Sequence, residues 1–309
     1  MKKLYKIGTR ASKLALWQAN WVESQINKFS PGADTEIVEI TTKGDQILDR
    51  PLAMVGGKGL FVKEIEKALL DNEIDIAVHS MKDMPGELPE GLTIGAIPER
   101  ENPFDVVISR QNIKLANLPS KAKIGTSSLR RASQIKNFRP DLAISSIRGN
   151  LETRIKKLNA GEFDAIILAA AGIKRLGMEK LITEFLTERV MTPAVGQGAL
   201  CIETRKNDSD IEPVMAKLNH ESTALCVAGE RSFLKRLEGS CHIPVGCFAK
   251  HVDNSIMLTG IVAAIDGKKV IKHSLYANPD NIVAKGIELA DTLLANGAQE
   301  ILENLKKDD

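Results

Sequence analysis

Leu4-Tyr5-Lys6-Ile7-Gly8-Thr9-Arg10-Ala11-Ser12 is the stretch on which the fold turns. A short apolar segment, Leu4 to Ile7, runs into a glycine and a polar turn. Apolar residues then recur at Leu14, Trp17, Trp21, Val22, Ile26 and Phe29, the spacing of one helix face. The reading is strand, turn, helix. The same grammar returns at Ile124-Gly125-Thr126-Ser127-Ser128, followed by a helix-like stretch from Leu129 towards Asn137. A second echo lies downstream of each. Phe61 to Leu70 leads into Glu73-Ile74-Asp75-Ile76-Ala77-Val78, and Leu151 to Leu158 leads into Glu162-Phe163-Asp164-Ala165-Ile166-Ile167, both reading as helix, acidic turn, buried strand. Two echoes in the same order predict two lobes of similar α/β topology.

Working outward, Pro98 and Pro103 bracket a charged stretch in which Asn102 to Asp105 crosses out of the first lobe. A return crossing fits Thr192-Pro193-Ala194-Val195-Gly196-Gln197-Gly198, ahead of the strand-like Ala199 to Ile202. Beyond Glu221 the pattern changes to one helix, reaching about Glu238, and a Gly-rich loop. Strand-like runs near Ile256 to Ala264 and Lys269 to Ala277 follow, then a closing helix from about Asn281. The predicted architecture is two similar α/β lobes resembling those of periplasmic binding proteins, joined by a hinge of two crossings, plus a small C-terminal α+β domain. The first lobe takes residues 1–98 and 199–218, the second 99–198, and the C-terminal domain 219–309.

A chain of 309 residues is long enough for such a division. No apolar run approaches the roughly 20 residues of a membrane span, and the N-terminus turns polar by Gly8-Thr9-Arg10 without a secretory pattern, so a cytoplasmic address is expected. The formal net charge of +2 argues against a general nucleic-acid binder. Cys201, Cys226, Cys241 and Cys247 make neither a disulfide framework nor a zinc knuckle, so reduced thiols are expected.

Open α/β sheets bind ligands beyond the carboxyl ends of their strands. Arg10, Ser12, Thr126, Ser127 and Ser128 belong there, although serine and threonine at such turns also serve simply as helix caps. Arg130 and Arg131 fall in the first turn of a helix, where cations oppose the helix dipole and need compensation. Val78-His79-Ser80-Met81-Lys82-Asp83-Met84-Pro85 reads as a buried strand ending in a polar cluster; an Asp beside a Lys is more often ion-paired than catalytic. Cys241 differs from the other three thiols, which read as small buried hydrophobes. It sits in the flexible loop Gly239-Ser240-Cys241-His242-Ile243-Pro244, where a partly exposed thiolate can be a nucleophile or an attachment point when a nearby cation lowers its pKa.

Six stretches together resemble the porphobilinogen deaminase family: Ile7 to Ser12, Lys58-Gly59-Leu60-Phe61, His79 to Pro85, Gly125 to Arg131, Arg148-Gly149-Asn150 and Gly239-Ser240-Cys241. The resemblance runs in order over nearly the whole chain. It implies an enzyme that joins four porphobilinogen units head to tail on a dipyrromethane cofactor held by a thioether at Cys241, with loss of four ammonia and hydrolytic release of the linear tetrapyrrole. It makes Asp83 the catalytic carboxylate. Lys82, Asp83, Thr126, Ser128, Arg130 and Arg131 would hold the cofactor, and Arg10, Ser12, Lys58, Arg148, Arg154 and Arg175 the incoming or growing units. A monomer is implied, with no metal, nucleic acid or membrane partner. Arg139 belongs to none of these motifs and reads as a solvated surface residue. His242 departs from the glutamine common after the attachment cysteine. The rival reading is a non-enzymatic two-lobed binding protein for a small anion.

Overall fold

Ser12 starts the first helix as its N-cap: its hydroxyl accepts a hydrogen bond from the Ala15 amide at 3.3 Å, which supplies a partner for one of the unpaired N–H groups of the first turn. Strand, turn and helix therefore follow one another as the N-terminal stretch predicts. The computed structural model describes residues 4–46, 59–237 and 243–308. Its strands are β1 Leu4–Thr9, β2 Asp34–Glu39, β3 Ile76–Ser80, β4 Leu92–Ala96, β5 Asp105–Ser109, β6 Lys123–Gly125 and β7 Ala143–Ser145. They continue with β8 Ala165–Ala169, β9 Glu184–Leu186, β10 Leu200–Arg205, β11 Val245–Val252, β12 Ser255–Ala263 and β13 Val270–Ala277. The α-helices are α1 Lys13–Phe29, α2 Lys43–Gln46, α3 Lys63–Leu70, α4 Leu129–Phe138, α5 Leu151–Asn159 and α6 Ala170–Arg175, then α7 Glu212–Leu218, α8 Glu221–Arg236, α9 Ile282–Leu293 and α10 Gln299–Asp308.

The chain forms two compact units, Met1–Glu101 with Gly198–Ala224 and Asn102–Gln197 with Leu225–Asp309. In the first unit the sheet runs β2-β1-β3-β10-β4, with β1 parallel to β2 and β3 and with β10 antiparallel to both its neighbours. In the second unit one sheet runs β7-β6-β8-β5-β9, again with three parallel strands and a reversed strand beside them. The two sheets match strand for strand. In each, the reversed strand, β5 or β10, is the first one laid down after the chain crosses from the other unit.

The paired echoes in the sequence are contacts between the two halves of each lobe. A Cβ on Gly8 would lie 2.3 Å from Ile74 Cδ1, and one on Gly125 would lie 2.9 Å from Phe163 Cδ1, so each glycine admits the apolar residue of its own acidic turn. The aspartate of that turn then accepts from the strand two residues before the glycine: Lys6 N–H to Asp75 at 3.0 Å and Lys123 N–H to Asp164 at 2.7 Å. Ile-Gly-Thr and Glu-x-Asp recur together because each fits the other. Apolar clusters lie on both faces of each sheet, Tyr5, Val22 and Ile202 on one face of the first and Ile65, Leu69 and Ile74 on the other.

The second unit also holds the antiparallel sheet β11-β12-β13, which packs with α8, α9 and α10 around Phe233, Leu258 and Leu289. Here the structure corrects one expectation: the Gly-rich loop gives way at Val245 to a full strand, β11. Its first five residues are all buried, so the apolar-polar alternation that announces a half-exposed strand is missing. Glu230 of α8, fully buried, accepts from the amides of Gly196 at 2.7 Å and Ala249 at 2.9 Å and so ties this strand to the crossing segment.

Arg139 is the second correction. It is no solvated surface residue, because its guanidinium donates to the carbonyls of Leu115, Ala116 and Leu118 at 3.1, 2.7 and 2.9 Å and pairs with Asp141 at 2.6 Å. It clamps the turn ahead of β6. Among the described residues no helix is long and apolar enough to cross a membrane.

Candidate active site

In the first unit the parallel register of β1 and β3, with Ile7 opposite Ile76, delivers Arg10, Ser12, Lys82 and Asp83 to the same carboxyl edge of the sheet. Beyond β3 the chain makes one 3-10 turn, Met81–Asp83. Met81 and Met84, three apart and therefore on the same side of such a turn, are buried, while Lys82 and Asp83 between them are half-buried. The turn is anchored by Met81 N–H to the Ala199 carbonyl at 3.0 Å, and Ser80 before it accepts from buried Gln18 at 3.0 Å. Arg10 is paired with Asp45 and stacked on Phe61, its guanidinium carbon 4.2 Å from the ring centre.

In the second unit β6, β7 and β8 open onto one carboxyl edge, and reversed β5 brings its first residue, Asp105, to the same place. Ser128 is the N-cap of α4, accepting from the Arg131 amide at 3.4 Å, and buried Thr126 accepts from the Ser128 amide at 3.2 Å. The compensation that Arg130 and Arg131 require is Asp105, which is fully buried between them. Burial alone would raise its pKa, but the two guanidinium groups override that and hold it well below the ordinary carboxylate range.

Guanidinium N–H groups number five. Arg130 donates from Nη1 to Asp105 and the Thr192 carbonyl, both at 2.8 Å, and from Nη2 to Asp105 at 3.2 Å and Gln197 at 3.5 Å, which leaves Nε–H among the described residues. Arg131 uses Nε and Nη2 on Asp105, at 2.9 and 2.7 Å, and Nη1 on the Ile167 carbonyl at 3.1 Å, which leaves one N–H on each Nη. Of the two, Arg131 keeps the greater capacity for a ligand.

Arg148 precedes Gly149, whose φ of +108° lies in the region that favours glycine, and Asn150 then caps α5 by accepting from the Thr153 amide at 2.9 Å. This turn aims Arg154 back along itself, its Nε 2.8 Å from the Gly149 carbonyl. Burial first, then the charges of Arg131 and Arg148, push Arg154 down to about 10. Arg175 closes α6 and is buried. Lys58, Cys241 and His242 lie outside the described residues, whereas Cys201, Cys226 and Cys247 are buried thiols.

Sequence reasoning gave no site role of their own to Asp45, Asp105 or the buried group around His79 of β3. There His79 Nε2 lies 3.0 Å from Glu203, and Glu66 of α3 is pushed up to about 7 by burial and then by Glu203, against the pull of Lys63. A raised carboxyl pKa means that the folded chain binds more protons than the unfolded one between about pH 4.5 and 7. The stability tied to protonated Glu66 is complete below that window and lost as pH rises through it, by at most about 3 kcal/mol. Glu66→Gln should therefore match the parent in urea unfolding at pH 5 and exceed it at pH 8. An equal decline with pH in both proteins would refute this account.

Two family models and several known proteins match this chain. The family model described as porphobilinogen deaminase, dipyromethane cofactor binding domain, matches residues 5–213, and that described as porphobilinogen deaminase, C-terminal domain, matches residues 224–295. The porphobilinogen deaminase of Brevibacillus brevis is 51% identical over 305 residues, 98% of each chain. That of Geobacter metallireducens is 53% identical over 300 residues, 97% of this chain and 94% of the other. Among solved structures, a probable amino-acid ABC transporter extracellular-binding protein of Bacillus subtilis covers 71% of this chain and 90% of its own at 12% identity and a TM-score of 0.43, too slight a likeness to bear on function. Matched by both family models and by relatives that share half its residues over nearly its full length, the chain belongs to the porphobilinogen deaminase family.

Proposed function

We propose that this chain condenses four porphobilinogen units head to tail on a dipyrromethane primer carried by Cys241, releasing four ammonia and finally the linear tetrapyrrole hydroxymethylbilane. The observation that carries this reading is the crowding of guanidinium groups at the carboxyl edge of the second lobe, where Arg130 and Arg131 flank buried Asp105 and where burial, then the charges of Arg131 and Arg148, lower the pKa of Arg154. Such a cluster suits a ligand that brings several carboxylates, and every pyrrole unit carries an acetate and a propionate. Planar guanidinium forks match those groups. The residues present therefore fit the primer.

Arg131 and Arg130, with Thr126, Ser128 and Lys82, hold primer carboxylates in this reading, Arg131 with two N–H groups to offer and Arg130 with one. Arg10, Ser12, Lys58, Arg148, Arg154 and Arg175 grip the incoming and growing units. When bound, dipyrromethane supplies the nucleophilic pyrrole carbon on which growth begins. Asp83 accepts from pyrrole N–H groups and stabilises the positive charge that develops on the ring as ammonia leaves and the new bond forms. A fixed carboxylate favours that charged state over the neutral ground state. Holding the proton that moves to ammonia, or from the new ring junction, is its second role.

The first lobe, 1–98 with 199–218, then contributes Asp83, the second lobe, 99–198, the arginines, and the C-terminal domain, 219–309, the attachment cysteine. A cytoplasmic monomer completes the reading. The test is intact mass of the purified chain with peptide mapping around Cys241. Added mass matching dipyrromethane on that residue is expected. An unmodified Cys241 that neither porphobilinogen nor hydroxymethylbilane converts would overturn the proposal.

A further inference from the structure

Arg10 is held on two sides. Its Nε lies 3.1 and 3.2 Å from the two carboxylate oxygens of Asp45, and its Nη2 also donates to Asp45. Phe61 covers one face of the guanidinium at 4.2 Å. Asp45 is fixed in turn, because its second oxygen accepts from the Thr42 amide at 3.3 Å and the Thr42 hydroxyl at 2.8 Å. The bonds from Arg10 and Thr42 outweigh the upward push of burial on Asp45 and keep it below its ordinary value. Gly44 beside it has to be glycine: a Cβ there would lie 2.3 Å from the Phe61 ring and 2.9 Å from the Leu60 carbonyl. Among the described residues Arg10 Nη1 has no acceptor, and the Arg10 side chain retains 25% exposure.

A guanidinium gripped side-on through Nε and Nη2 and stacked on one face keeps two N–H groups on Nη1 and one on Nη2 for a further carboxylate, with Nη1 wholly uncommitted. We infer that Asp45 is a positioning residue for substrate binding, holding Arg10 so that its Nη1 edge meets a carboxylate of the incoming pyrrole. The inference rests on the reading of Arg10 as a substrate-binding residue. Positioning and competition predict opposite signs. A tether that orders Arg10 in advance strengthens substrate binding, because a loose guanidinium must be ordered when the substrate arrives. A carboxylate that merely occupied Arg10 would weaken it.

Asp45→Asn and Phe61→Leu, measured in the full-length protein loaded with its primer, separate these cases. Each should raise KM for porphobilinogen, Asp45→Asn by about tenfold and Phe61→Leu by a few-fold, while kcat and the melting temperature stay near the parent's. In an Arg10→Lys background, which itself raises KM, Asp45→Asn should add little. An unchanged or lowered KM in Asp45→Asn would overturn the positioning role. An unchanged KM in Arg10→Lys would instead overturn the reading of Arg10 on which it depends.

Discussion

Turnover falls by about 10²–10⁴-fold in Asp83→Ala, the range expected when a positioned proton-transfer or charge-stabilising group is lost, while the chain still folds. The two halves of this result have separate causes. Asp83 sits in a 3-10 turn secured by others: buried Met81 and Met84 on either side, the bond from Met81 N–H to Ala199, and Gln18 on Ser80. Removing a half-buried carboxylate from such a turn takes away no anchor, so the melting temperature should move by no more than a few degrees. The transition state loses more. Positive charge arises on the pyrrole only as the reaction proceeds, and a carboxylate fixed beforehand stabilises it without reorganisation. Single-turnover assay of the loaded protein beside a thermal melt checks both halves. Activity within tenfold of the parent would refute the assignment, and joint loss of activity and folding would show that Asp83 is structural.

Asp105→Ala acts in the opposite way, through stability first. The carboxylate is buried and takes bonds from Arg130, Arg131 and Gln197, so its removal leaves two guanidinium groups in the interior without their counter-charge. Breaking a buried pair from one side typically costs 3–5 kcal/mol. Asp105→Asn keeps the shape and a partner for each arginine and should cost less, though charge repulsion between Arg130 and Arg131 remains. The sign of the pH dependence follows from the depressed pKa. Stability contributed by ionised Asp105 is complete above the ordinary carboxylate range and is lost only as pH falls through its lower folded value. The deficit of Asp105→Ala should therefore be the same at pH 5 and pH 8 in denaturant unfolding. A deficit below about 1 kcal/mol would mean that the pair behaves as though it were exposed to solvent.

Glu66 runs against this, with its share of stability lost as pH rises towards neutrality. One buried carboxylate lies between two guanidinium groups and the other beside a second acid. Neither setting is written in the residues adjoining it. Asp105 is followed by the apolar Val106-Val107-Ile108, and a charge abutting a buried strand is the single local sign that something must neutralise it.

What the sequence by itself determined was local and repeated. Glycine where a Cβ would strike the facing apolar residue, aspartate where a strand amide needs an acceptor, and serine or asparagine where a helix begins are requirements met within a few residues, and here they occur twice in the same order. Hence both lobes were legible, and the family motifs with them. Tertiary structure alone decided which charges meet. Arg10 and Asp45 are 35 residues apart, Arg130 and Asp105 are 25 apart, and His79 and Glu203 are 124 apart. Strand β11 was hidden for a related reason, since burial of its first five residues erases the alternation that a one-sided strand displays. Periodicity and capping depend on neighbours along the chain. The ionic partners of a buried charge depend on where the chain returns, and that is set by the sheet order 2-1-3-10-4 and its counterpart 7-6-8-5-9.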